Sequence, residues 1–296
     1  MRAYLMCILV VVFYSGNILV GKALADLPPF TIAFLRVAIA FVVLLPFGYR
    51  GARQAAPLFR QHFKPLLFMT VTGVAAFTTF LYAALQFTSA TNVSVLEAAI
   101  PAVTVALSAW LLREKLRWIQ LFGVALSLFG SVWVVLDGQV FQLGDLGWNA
   151  GDALMVGAVA SWSLYSIGVR KYLHLFPSYG SVLVMTGLSV LMLLPFVVGE
   201  WLILGVPELD SSGHWWGLVY LGVFPSVVAL ILYNRAVAIL GASQASVYLN
   251  FLPVGTMLGA YFLLGETITA MQILGAVVVI AGVLFTARAK QAAAGG

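Results

Sequence analysis

The stretch ATNVSVLEAAIPAVTVALSAWLLREKLRWIQLFGVALSLFG (residues 90–130) occurs twice in this chain. Shifted by 152 positions it lies on residues 242–282 without a gap, and 11 of the 41 positions are identical. Pro101 falls on Pro253, Glu114 on Glu266, Gln120 on Gln272, Gly123 on Gly275 and Gly130 on Gly282. Self-similarity on this scale means two structural halves.

What each half is made of follows from composition. Hydrophobic residues make up 62% of the chain and charged residues 8%, more apolar surface than a water-soluble chain of 296 residues can hide. Apolar runs of bilayer length recur, so the chain reads as an integral membrane protein. The single cysteine, Cys7, excludes an internal disulfide, and no cysteine-based metal site is spelled. The net charge of +5 fits basic loops on one membrane face better than nucleic-acid binding, because no basic patch is interleaved with aromatics.

The start of the chain imitates a signal peptide, but its apolar run is long and holds Tyr14, Asn17 and Lys22, so it is expected to remain as a first span. Charges and Pro/Gly punctuation give ten spans, near 3–25, 30–49, 65–87, 92–112, 116–136, 150–172, 178–199, 213–239, 243–264 and 267–287. The first half is expected over 1–137 and the second over 138–290, with a disordered Ala/Gly tail at 291–296. With the N-terminus inside, 13 of the 15 basic residues lie at cytoplasmic ends, and only Lys22 and Arg36 fall elsewhere. Both termini are therefore expected in the cytoplasm.

An odd number of spans per half has a geometric consequence: the second half enters the membrane from the opposite side. The expected fold is all-α and polytopic, ten transmembrane helices in two inverted five-helix repeats around a central cavity. Inverted repeats are the architecture of alternating-access transporters, with the substrate near the midplane.

Several polar residues stand where such a site would lie. Pro101 and Pro253, each about ten residues into a span, are expected to kink it and free the carbonyls of Glu97 and Leu249. Glu97 is the only carboxylate well inside a span, and so a candidate for an ammonium or a proton, or else a structural acid. A polar stripe in the third span (Thr72, Ala76, Thr79, Tyr82, Gln86) looks inward at helical spacing. Tyr14 and Asn17 do the same in the first span, Trp162 and Tyr165 in the sixth, Tyr220 and Asn234 in the eighth, Tyr248 and Asn250 in the ninth. Any one of these aromatics can equally be interhelical packing; as a set they describe a small-molecule pocket. Aligning Tyr14 and Ser15 with Trp162 and Ser163 brings Asn17 onto Tyr165 and Lys22 onto Arg170, which extends the repeat. The seven-residue spacing of Gly123 with Gly130 and of Gly275 with Gly282 suits close helix packing, as scaffold or as a dimer contact. Glu114 and Glu266 are expected to accept from free N–H groups at helix starts. Arg36 is expected to snorkel or to pair with an acid such as Asp26.

Other signals are weak. Gly16 to Lys22 spells most of a phosphate-binding loop, but Ala23 stands where Ser or Thr must be and the stretch lies in an apolar span. No HExxH or Asp-rich metal motif is present, and His62, His174 and His214 are scattered, so no cofactor and no enzymatic activity are expected.

Taken together, Pro101 with Leu111-Leu112-x-Glu114, Ala242-Ser243 with Pro253 and Leu263-Leu264-Gly265-Glu266, Phe34-Leu35-Arg36, and Ser161-Trp162-Ser163-Leu164-Tyr165 resemble EamA-type members of the drug/metabolite transporter superfamily. The resemblance spans nearly the whole chain. It implies spans one, three, four, six, eight and nine around a cavity in a bacterial inner-membrane exporter, with the aromatic amino-acid exporters nearest in pattern. An amino acid is then the expected small-molecule substrate, with Tyr14, Asn17, Thr79, Tyr82, Glu97, Trp162, Tyr165, Tyr248 and Asn250, read from the inward faces above, as its expected contacts, lipid as surroundings, and a monomer or homodimer. A broader exporter of drugs or other small metabolites is the alternative, and a membrane enzyme or signalling scaffold the less favoured third. Two departures stand out: Arg113 occupies the usual glycine position before the first glutamate, and Glu97 is not a general family feature.

Overall fold

In the computed structural model of the chain, residues 2–88, 93, 96–113, 117–136, 149–209, 212–264 and 268–294 are described. These residues are helical or in short connections. We label the helical stretches α1 (Arg2–Ala23), α2 (Pro29–Gln54), α3 (Phe63–Met69, Thr70–Ala76 and Phe77–Phe87), α4 (Ile100–Leu111) and α5 (Trp118–Val135). The second series is α6 (Ala150–Tyr172), α7 (Ser178–Leu204), α8 (Ser212–Val223, Phe224–Ala229 and Leu230–Leu240), α9 (Ala242–Val247, Tyr248–Phe251 and Leu252–Leu264) and α10 (Ala270–Ala294). A short helix, Ala56–Gln61, joins α2 to α3. Among the described residues, six stretches are long and apolar enough to cross a membrane: α1, α2, α3, α6, α7 and α8. α10 runs through Ala294, and alanine is the strongest helix former, so the Ala-rich stretch continues the helix there.

The exterior is as apolar as lipid contact requires. Val42, Leu191, Phe196, Leu202, Phe262 and Val277 are exposed, and several buried hydroxyls bond the carbonyls of their own helix. Thr70 donates to the Leu66 carbonyl (2.9 Å), Thr72 to Phe68 (2.7 Å) and Thr256 to Leu252 (2.8 Å), the pattern of a Ser/Thr side chain folding back one turn.

Helix contacts come in matched sets. α2 packs on α7 and α5 on α10; α3 packs on α6 as α8 does on α1; α4 packs on α6 as α9 does on α1. The tightest pair is α5 with α10. A Cβ on Gly123 would stand 2.7 Å from the Gly282 carbonyl oxygen, and one on Gly130 2.7 Å from the Val279 nitrogen. Gly275 faces Val134 and Gly282 faces Ser127 in the same crossing, so all four glycines are spent on one antiparallel contact inside the chain.

Irregular backbone also recurs at matching places. Thr70–Ala76 in α3 and Phe224–Ala229 in α8 are π-helical, two residues out of register on the 152-residue shift. Tyr248–Phe251 is a tight 3-10 turn, and Ala98 and Ala99, its counterparts in the first half, form a turn as well. Pro101 and Pro253 follow those turns as residues of the first turn of the next helix, where the missing N–H is no loss. The expected mid-span kinks are therefore helix starts. Arg113 has φ 54°, a left-handed conformation that glycine adopts freely and arginine does not. Glu114 and Glu266 lie outside the described residues.

Candidate functional site

A small cavity lies among α1, α2, α3, α4, α6, α8 and α9. Tyr14, Asn17, Arg36, Glu97 and Trp162 bring its polar and aromatic groups, and Val74, Leu230, Leu249 and Leu252 its apolar wall. Its volume is about 40 Å³, room for a few waters and not for a solute of amino-acid size. Trp162 is the hub of the aromatic wall, edge-on to Tyr14 at 5.5 Å and tilted against Phe77 (4.6 Å), Tyr165 (5.3 Å) and Tyr233 (5.1 Å).

Each end of this cavity is closed by a tyrosine bonded to an asparagine. At the end where α1 and α3 finish, the Lys22 end, the Tyr82 hydroxyl donates to Asn17 Oδ1 (2.8 Å). At the opposite, Arg170 end, the Tyr165 hydroxyl donates to Asn234 Oδ1 (2.6 Å). The register makes these one device used twice with its partners exchanged: Asn17 aligns with Tyr165, and Tyr82 with Asn234. The cations beyond them match too. Lys22 Nζ donates to the carbonyls of Leu85 (3.0 Å) and Thr88 (3.3 Å) at the end of α3, and Arg170 Nη1 to that of Ala238 (2.9 Å) at the end of α8. Glycines make room for the rings: a Cβ on Gly73 would overlap the ring of Tyr165, and one on Gly21 would stand 2.9 Å from that of Tyr82.

The Lys22 end carries one group more. Arg36 of α2 is 4% exposed and reaches inward, its Nε donating to Ser226 Oγ (2.9 Å) and its Nη1 to Asn17 Oδ1 (3.1 Å) and to the Tyr82 hydroxyl. The π turn of α8 presents Ser226, whose hydroxyl donates five residues back to Leu221 (2.7 Å). Arg36 thus neither snorkels nor meets Asp26, which bonds His214 at 2.9 Å instead. Buried acceptors converging on one point outcompeted the more distant acid.

Of the nine residues expected around a solute, Tyr14, Asn17, Glu97 and Trp162 line the cavity, and Tyr82 and Tyr165 stand behind it in the two closures. Three lie elsewhere. Thr78 takes the place expected of Thr79, because the π turn at Thr70–Ala76 adds a residue and rotates the face. Asn250 faces α5, its Nδ2 donating to Ser127 Oγ (2.7 Å) and its carbonyl accepting from Ser131 Oγ (2.8 Å). Tyr248 sits against Tyr4 (5.9 Å) in a lateral apolar groove, since the tight turn of α9 leaves Leu249 and Leu252 on the cavity wall. Arg36 and Ser226 were missed as cavity groups. The signal for Arg36 was a lone cation within an apolar span; for Ser226 there was none.

Over residues 1–136 and again over 149–288 the sequence matches the EamA-like transporter family. The chain belongs to that family. It is a transporter and not an enzyme. Among its relatives, the uncharacterized transporter YetK of Bacillus subtilis (strain 168) is 27% identical, over 98% of this chain and 88% of the relative. A probable amino-acid metabolite efflux pump of Salmonella typhimurium is 26% identical, over 94% and 92%. A probable terminal-alkyne amino-acid exporter of Streptantibioticus cattleyicolor is 25% identical, over 90% and 84%. A solved crystal structure with 17% identity superposes at a TM-score of 0.77, over 96% of this chain and 95% of the other, which shows a shared fold.

Proposed function

We propose that the chain exports amino acids, aromatic and other neutral ones, by alternating access across the bacterial inner membrane. In this reading residues 1–137 and 138–290 are inverted five-helix halves with both termini cytoplasmic, so the Arg170 end faces the cytoplasm and the Lys22 end the outside. The observation that carries it is the pair of closures, Tyr82 with Asn17 and Tyr165 with Asn234, one at each end of a central cavity. Parting one while the other holds exposes the same aromatic wall to alternate sides. The relatives named for amino-acid efflux support the substrate class, as does the stacking surface of Tyr14 and Trp162.

The test is counterflow in proteoliposomes of the purified chain, preloaded with unlabelled solute and offered labelled amino acids. Saturable accumulation of tryptophan, phenylalanine or other neutral amino acids above protein-free vesicles is expected. A flat amino-acid panel beside uptake of unrelated drugs or metabolites would transfer the reading to a broad exporter.

A further inference from the structure

We infer that the cavity recognises its solute as a zwitterion, with the carboxylate on Arg36 and the ammonium on Glu97; this rests on the amino-acid reading above and names the groups that read the backbone of the solute. Both side chains line one cavity, each is 4% exposed, and no ion pair joins them. Arg36 spends Nε and Nη1 on three neutral oxygens, those of Ser226, Asn17 and Tyr82, which fix the guanidinium plane. Among the described residues, its Nη2 has no acceptor. The Glu97 carboxylate likewise receives no hydrogen bond from the described residues.

A fixed cation and an acid without a partner, both in apolar surroundings, are costly unless a ligand meets them. A simple anion would satisfy Arg36 and leave Glu97 alone; a simple amine would do the reverse. An α-amino acid satisfies both at once, and its side chain is left for the wall of Tyr14 and Trp162. A guanidinium also suits a carboxylate better than an ammonium group would, because its planar N–H groups match the carboxylate oxygens.

Equilibrium binding to the full chain in detergent or nanodiscs tests this with L-tryptophan, L-tryptophanamide and N-acetyl-L-tryptophan, alongside a panel of unmodified neutral amino acids. The amide loses the negative charge and the acetylated form the positive one. Each is expected to bind at least roughly tenfold more weakly than the parent, the size of one lost charge-assisted bond. Arg36→Gln should erase the gap between tryptophan and its amide, Arg36→Lys should restore part of it, and Glu97→Gln should erase the gap to the acetylated form. The wild-type series decides the matter even where a variant does not fold. An amide that binds as tightly as the acid overturns the Arg36 role, and an acetylated form that binds as tightly overturns that of Glu97, with amino-acid recognition still standing. Binding by none of the amino acids overturns the amino-acid reading itself.

Discussion

The two ends of the cavity share one plan and differ by one charge. Both use a tyrosine donating to an asparagine, and both have a cation beyond it on the carbonyls that finish α3 or α8. At the Arg170 end the neighbouring buried bond is neutral, Ser166 with Tyr233 at 2.7 Å, and α7, the counterpart of α2, carries no charge in its sequence before Glu200. At the Lys22 end Arg36 adds three bonds and joins α1, α2, α3 and α8 at one point. Opening the Arg170 end breaks a neutral hydrogen bond, whereas opening the Lys22 end strips a guanidinium of its acceptors. Two ends built from matching sequence thereby differ in charge.

The sharpest way to break this comparison is to remove the matching asparagines one at a time. Asn17→Leu leaves the Nη1 group of Arg36 and the Tyr82 hydroxyl without their shared acceptor, and should lower stability by about 3 kcal/mol, since a charged group is among those left short. Asn234→Leu strands only the Tyr165 hydroxyl and should cost about 1–2 kcal/mol. Thermal unfolding in detergent measures both, and equal losses would sink the claim that charge distinguishes the ends.

Next in size is Gly73→Ala. Its Cβ overlaps the Tyr165 ring and should destabilise the Arg170 end by about 1–3 kcal/mol. The gentler Tyr165→Phe keeps the ring and deletes one bond, for a loss of about 1 kcal/mol. If Gly73→Ala acts through Tyr165, adding Tyr165→Ala to it should bring no further full-sized loss; additive costs in the double variant would show that the two act separately.

The smallest expected effect has the opposite sign. Arg113→Gly relieves a left-handed arginine outside the cavity lining and should raise stability by about 0.5–1 kcal/mol with counterflow unchanged. A drop in flux would show that this turn communicates with the cavity.

Much of the scaffold was legible because hydrophobic length and a gapless internal repeat are one-dimensional signals. The helical stretches overlap the expected spans, though α2, α7 and α10 run past the ends expected of them, and Gly123, Gly130, Gly275 and Gly282 were marked by spacing alone. The site was legible only where the backbone stays α-helical. Tyr14, Asn17 and Trp162, in uninterrupted stretches of α1 and α6, face the cavity as helical spacing says. Thr79 lies beyond a π turn and Tyr248 and Asn250 lie within a 3-10 turn, and each such turn rotates the side chains away from α-helical spacing. Arg36 was misjudged for a different reason: a charge near a span end has a default exit to the interface, and only three-dimensional convergence of Asn17, Tyr82 and Ser226 supplies a better one.

The contact between α5 and α10 has a consequence for motion. Gly123 lies against the Gly282 carbonyl and the Thr286 hydroxyl, and Gly130 against the Val279 nitrogen and the Gly275 carbonyl. Sliding either helix by one residue would drive a Cβ into peptide groups, so the pair can swivel but not glide. In the proposed transport cycle, the parting at Tyr82 or Tyr165 turns about this seam. Spin labels on its exposed faces, at Phe122 and Leu284, should report one unchanging distance while every other pair of helices breathes.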